Sequence, residues 1–135
     1  MSYKIEEIEG IGPSYAEKLA TAGITTTDDL ITQCATPAGR KTTAETTGIT
    51  TSTLLTFTNK ADLMRVKGVG SEYSDLLEAS GVDTVKELRT RNATNLTTKL
   101  AEVNAEKNLT RTVPSETVVT GWIEAAKTMD TTITY

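Results

Sequence analysis

Apolar positions along the chain recur at helical spacing in short stretches, and the stretches are separated by glycine turns. The clearest begins Ile8-Glu9-Gly10-Ile11-Gly12-Pro13-Ser14-Tyr15, and continues with Leu19 and Ala22 on the same helical face as Tyr15. The pattern returns 58 positions later as Val66-Lys67-Gly68-Val69-Gly70-Ser71-Glu72-Tyr73. The register persists beyond the turn: Gly23-Ile24 maps on Gly81-Val82, Thr26 on Thr84 and Leu30 on Leu88. Matching glycines, tyrosines and caps make the chain two copies of one helical unit.

In order, the pattern predicts a short helix over Lys4–Ile8, the Gly10–Gly12 turn, and a helix from Pro13 that ends at Gly23 as a left-handed cap. Thr26 with Asp29 forms a capping box for a helix to about Cys34, and Thr84 with Glu87 is expected to make the better box. Residues 36–39 read as a loop, followed by helices over 40–47 and 51–61 around a turn at Gly48. The second copy opens with a short helix over Asp62–Val66. It continues with the Lys67–Gly70 turn, a helix over 71–80, a connector from Thr84 to about Arg91, and a helix over 94–107. The last turn, Leu109–Pro114, is longer and has no glycine; Ser115 then caps a helix carrying Val118, Val119, Trp122 and Ala126. Residues 130–135 read as frayed or edge-bound, and no run alternates as a strand would.

Length and composition narrow the picture. A chain of 135 residues suits one domain or two small ones sharing a core, and 37% hydrophobic residues suffice for it. Thr supplies about a fifth of the residues, many at caps and connections. The net charge of -4 is shared evenly, residues 1–61 carrying 5 basic and 7 acidic groups and residues 62–135 carrying 9 and 11. Strong non-specific attraction to nucleic acid is therefore not expected, and any binding must be local. The absence of His excludes imidazole acid–base chemistry, His-ligated metal and Ser-His or Cys-His nucleophiles. The lone Cys34 excludes an internal disulfide and reads as a space-filler at a helix end. No convergent carboxylate pair stands out, so the chain is read as non-enzymatic, without a cofactor. With neither a signal-peptide pattern at the start nor an apolar stretch of membrane-spanning length, it is read as cytoplasmic and free of membrane.

The glycine turns carry the candidate chemistry. Two glycines around one apolar residue permit angles that a Cβ forbids, while Ile11 or Val69 anchors the turn inward. The amides around the second glycine then face outward at a helix N-terminus, where free N–H groups and the helix dipole favour an anion. A backbone phosphate fits, and such contacts position a duplex without reading its sequence. The candidate binding residues are Gly10, Ile11, Gly12, Ser14 and Lys18 in the first copy, and Arg65, Lys67, Gly68, Val69, Gly70 and Ser71 in the second. Three phosphate contacts would imply about a 40-fold loss of affinity between 50 and 200 mM salt. Against these stand Glu9 and Glu72 beside the turns, and Tyr15 and Tyr73 read as core rather than as stacking platforms.

These turns resemble the helix-hairpin-helix motif in its tandem form. Residues 59–70, 81–88 and 100–107 are more specifically similar to a bacterial and cyanobacterial family, domain of unknown function 4332. Trp122 fits that family, and Phe57 stands where a tryptophan is expected. The resemblance implies an all-α fold of two tandem (helix-hairpin-helix)2 units, 1–61 and 62–129 with a tail 130–135, packed into one compact helical body. From the wider motif it implies sequence-independent binding of double-stranded DNA, sometimes with a monovalent cation held by hairpin carbonyls. The competing expectation is a protein-interaction or scaffold module that keeps the fold without binding DNA; the sequence leaves the oligomeric state open.

Overall fold

The computed structural model describes residues 2–135; Met1, where the expected first unit begins, lies outside the described residues. Eight α-helices follow a short 3-10 helix at Ile5–Glu7: α1 Pro13–Ala20, α2 Thr27–Cys34, α3 Pro37–Thr47, α4 Thr51–Leu63, α5 Ser71–Ala79, α6 Val85–Leu88, α7 Ala93–Lys107 and α8 Glu116–Lys127. Among the described residues there is no strand beyond an isolated antiparallel bridge between Lys4 and Thr26. The protein is all-helical.

Hydrogen bonds recur at the 58-residue shift. Ile8 and Ile11 N–H donate to the carbonyls of Ile5 and Ile8, as Val66 and Val69 donate to those of Leu63 and Val66. After α1 the Ile24 amide returns to Leu19 O, and after α5 the Val82 amide returns to Leu77 O. Buried apolar side chains form two clusters. One runs from Ile5 to Met64 and includes Leu19, Leu30, Leu54 and Phe57; the other runs from Leu63 to Ala126 and includes Leu76, Leu88, Leu100 and Trp122. Leu63 and Met64, adjacent in the chain, belong to different clusters.

The central helix α4 corrects the expected boundaries. It does not stop at Ala61, and Asp62–Val66 is not a separate helix; the last turn of α4 continues through Leu63, with α2, α3 and α5 packed around the helix. Nothing at 61–62 breaks a helix, and the Asp62 carboxylate is used elsewhere: Oδ2 accepts from Val85 N at 2.8 Å and Oδ1 from Arg65 Nη1 at 2.6 Å.

Other expectations also shift. Residues 37–39 are the first turn of α3 rather than loop, because Pro37 takes the first helical position and Thr36 Oγ1 caps Gly39 N. The Thr26–Asp29 box is complete, whereas at Thr84 only the forward half forms, because the Glu87 carboxylate turns to Arg91 at 2.7 Å. The connector helix is correspondingly short. The Lys4–Ile8 helix is a single 3-10 turn, and Val118 lies on the exposed side of α8 rather than with Val119 and Trp122.

Asp29 shows how much one cap carries. Its Oδ2 accepts from Thr25 N, Thr25 Oγ1 and Thr26 N, and the bond from Thr25 N leads the effects that hold its carboxyl below the ordinary value of 3.8. A depressed folded-state value contributes stability that is present above pH 3.8 and lost as pH falls through the folded-state value. Asp29→Ala is therefore expected to cost about 1 kcal/mol at pH 7. Chemical denaturation repeated at falling pH below 3.8 should show that difference shrink.

Candidate anion-binding turns

Each turn reaches its shape through its first glycine. Gly10 has φ +96° and Gly68 φ +91°, in the region closed to most L side chains. A Cβ at Gly10 would meet Phe57 Cε1 at 3.4 Å, and one at Gly68 would meet Trp122 Nε1 at 3.3 Å. The same aromatic rings support the helix beyond each turn: Tyr15 packs edge-on against Phe57 with centroids 5.2 Å apart, and Tyr73 packs against Trp122 at 5.1 Å. Ile11 and Val69 are buried beneath the turns.

The second glycine acts differently. Gly12 and Gly70 are extended and have open space around an added Cβ, so neither angle nor room demands glycine. What glycine removes is the cap. Among the described residues, α2, α3, α4, α6, α7 and α8 each begin with a Thr, Ser or Asn side chain accepting from a first-turn amide. Only α1 and α5 begin without one. Pro13 has no N–H, so the first-turn amides available on α1 are those of Ser14 and Tyr15; α5 offers Ser71, Glu72 and Tyr73.

The side chains expected around these turns meet different fates. Gly10, Gly12, Ser14 and Lys18 are exposed, and Lys18 Nζ stands 5.8 Å from the Tyr15 ring centroid. Lys67 is exposed. Arg65 is committed elsewhere, to Asp62 and, through Nη2 at 2.9 Å, to the carbonyl of Asp130. Gly68, Gly70 and Ser71 come together on a cavity of about 500 Å³ that also receives Glu7, Glu72 and Arg111. Neither Arg65 nor Lys67 reaches that cavity.

Two residues here escape a motif-based reading. Arg111 arrives because the Tyr73 hydroxyl donates to Thr112 O at 3.1 Å, tying the last turn to α5 across 39 residues. Lys60, 7% exposed within α4, donates to Glu9 O at 3.2 Å and pairs with Asp75 at 3.4 Å. A buried ammonium thus sits on a carbonyl of the first turn. Burial pushes the Glu78 carboxyl up, against the pull of Lys60. A lysine in a helical run gives no sign of either partner; the only local cue is its apolar company in α4.

Among the described residues no group of three or more His, Cys, Asp or Glu side chains is placed to hold a metal ion, and no helix is long and apolar enough to cross a membrane. The family model described as Domain of unknown function (DUF4332) matches residues 9–129, which include both turns and all eight α-helices. The chain belongs to the DUF4332 family. No curated protein and no solved structure gives a significant match.

Replacing Lys60 tests its place in this DUF4332 protein. Lys60→Met should lower stability by about 2 kcal/mol, since a charge-assisted bond to a carbonyl and a partly buried ion pair are lost together. In the same variant the Glu78 carboxyl should titrate at higher pH than in the parent, because a cation that lowers it has gone. Denaturant melts and carboxyl-carbon NMR titration read the two effects.

Proposed function

We propose that the two repeats are helix-hairpin-helix pairs, and that the protein binds duplex nucleic acid weakly and without sequence preference through the backbone amides that open α1 and α5. The observation carrying this reading is the missing cap. Among the described residues the other six α-helices are capped by side chains, and the two turns built on paired glycines leave their amides free. Free amides and the positive helix end together favour a phosphate oxygen.

The first turn is the stronger site. Gly12 and Ser14 are exposed, and Lys18 adds a cation on the same helix. The second turn offers Arg111 in its cavity but sets Glu7 and Glu72 beside it. Those carboxylates favour the alternative reading for the second turn, a protein-interaction surface on a scaffold module. At a net charge of -4, neither turn has a long-range field to help it, so affinity rests on short-range contacts.

Gly12→Asp and Gly70→Asp separate the readings cleanly. The backbone at both positions is extended and the space open, and aspartate is itself a good cap, so both variants should fold with stability within a few tenths of a kcal/mol of the parent. Each places a carboxylate on the amides in question. Anisotropy of a labelled duplex at 50 mM salt should give a parent Kd of about 10–100 μM, falling off steeply towards 200 mM. Gly12→Asp should abolish binding, and Gly70→Asp should weaken it less. A parent that ignores duplex at low salt would leave the scaffold reading in possession.

A further inference from the structure

Residues 130–135 carry no helix, yet they are fastened to the body at two distant points. The carbonyl of Asp130 accepts from Arg65 Nη2 at 2.9 Å. The carbonyl of Thr134 accepts from Arg40 Nη2 at 2.7 Å, and Thr134 N–H donates to Ala35 O at 2.8 Å. Between these anchors Thr131, Thr132 and Ile133 lie along Asp62, Thr84 and Lys86. The segment therefore crosses from the approach to the second turn, past the end of α4, to the junction of α2 and α3.

Arg40 makes the far anchor specific. It is 5% exposed, and its other terminal nitrogen donates to Cys34 O and Ala35 O at the negative end of α2. Among the described residues no carboxylate pairs with it; carbonyl oxygens hold it, and the tail supplies one of them. The hold is almost wholly polar, since Ile133 is half-buried and the other residues from 130 to 135 are exposed. Three hydrogen bonds to the backbone of the segment, the bond between the Tyr135 and Thr84 side chains and one half-buried Ile133 stand against the conformational freedom of six residues.

The near anchor gives release a consequence. Arg65 lies just ahead of the Lys67–Gly70 turn, and with the segment docked both terminal nitrogens are used, Nη1 by Asp62 and Nη2 by Asp130. We propose that residues 130–135 form a releasable strap which masks Arg65 and lowers the affinity of the second turn for phosphate. This inference rests on the nucleic-acid reading. It adds a regulated cation to that site: with the strap lifted, Arg65 keeps one nitrogen on Asp62 and turns the other outward to a duplex.

Two variants lift the strap. Thr134→Pro removes the N–H that Ala35 O accepts, and shortening the chain to Met129 leaves all eight helices in place. In Thr134→Pro, amide resonances of residues 130–133 should move to random-coil positions while those of α4 and α8 stay. Duplex affinity at 50 mM salt should rise about 10-fold in both variants, and the slope of log K against log salt should steepen by about 0.9, one added phosphate contact. Adding Arg65→Gln should cancel the gain and the extra slope. A gain that survives Arg65→Gln overturns the mask, as does an unchanged affinity with the strap visibly released, and neither touches the parent's binding through the first turn. If neither the parent nor the strap-free chains bind duplex, the nucleic-acid reading fails and the mask falls with it.

Discussion

Burial of the second half of α4 on every side is the constraint on which the rest of the molecule depends. From Phe57 to Met64 eight consecutive residues are buried, among them Thr58, Asn59, Lys60 and Asp62. An all-round buried helix with polar side chains is stable only if those groups find partners inside the protein. Thr58 Oγ1 donates back to Leu54 O at 2.6 Å, Lys60 reaches Glu9 and Asp75, and Asp62 reaches Val85 and Arg65. Asn59 Oδ1 is the exception among the described residues. Each satisfied charge is also a tether: Lys60 joins the first turn to α5, and Asp62 joins α4 to the start of α6. The two apolar clusters are thereby held in one arrangement by polar bonds as well as by contact between side chains.

The two halves reuse the same turn and then diverge around it. Phe57 and Trp122 play equivalent parts, each closing the space beside a first glycine and supporting a tyrosine on the next helix. They lie 65 positions apart rather than 58, because the second half carries a longer last turn before α8. That lengthening brings Arg111 and the Thr112 carbonyl to the second turn. At the 65-residue shift Lys60 has Ala125 as its counterpart, so the internal ammonium belongs to the first half alone. The first turn is thus braced from below and open above, while the second is walled by neighbouring segments.

Local signals in the sequence were legible where a residue acts on its own neighbours. Gly-Ile-Gly and Gly-Val-Gly marked both turns, Ser115 marked the start of α8, and Thr26 with Asp29 marked a complete cap. They misled where a distant partner competes. Thr84 and Glu87 have the same spacing and the better residue type for a capping box, but Arg91 takes the glutamate. The repeat places a helix boundary at Ala61, yet α4 continues because Asp62 serves α6 and Arg65 rather than ending a helix. Arg65 looked like a cation ready for phosphate, and the carbonyl that occupies it lies 65 residues away. Neither the partners of Lys60 nor those of Arg40 are written in the sequence around them, since burial of a charge is a property of the assembled core.

Net charge is a poor guide to what such turns do. A field summed over the whole acidic chain is screened within about 8 Å at physiological ionic strength, whereas an amide donor acts at hydrogen-bond distance. The relevant balance is therefore local. At the first turn Glu9 is the adverse charge, but its carbonyl is fixed by Lys60, and Lys18 stands one and a half turns into α1. At the second, Glu7 and Glu72 face Arg111 across the same cavity, with Arg65 withheld. A duplex meeting both turns would gain from the first and be near neutral at the second until another cation is released there. On the proposed reading, two unequal sites of this kind would make a weak binder held mainly by the first turn, with the second tuned by the availability of one arginine rather than by the charge of the protein as a whole.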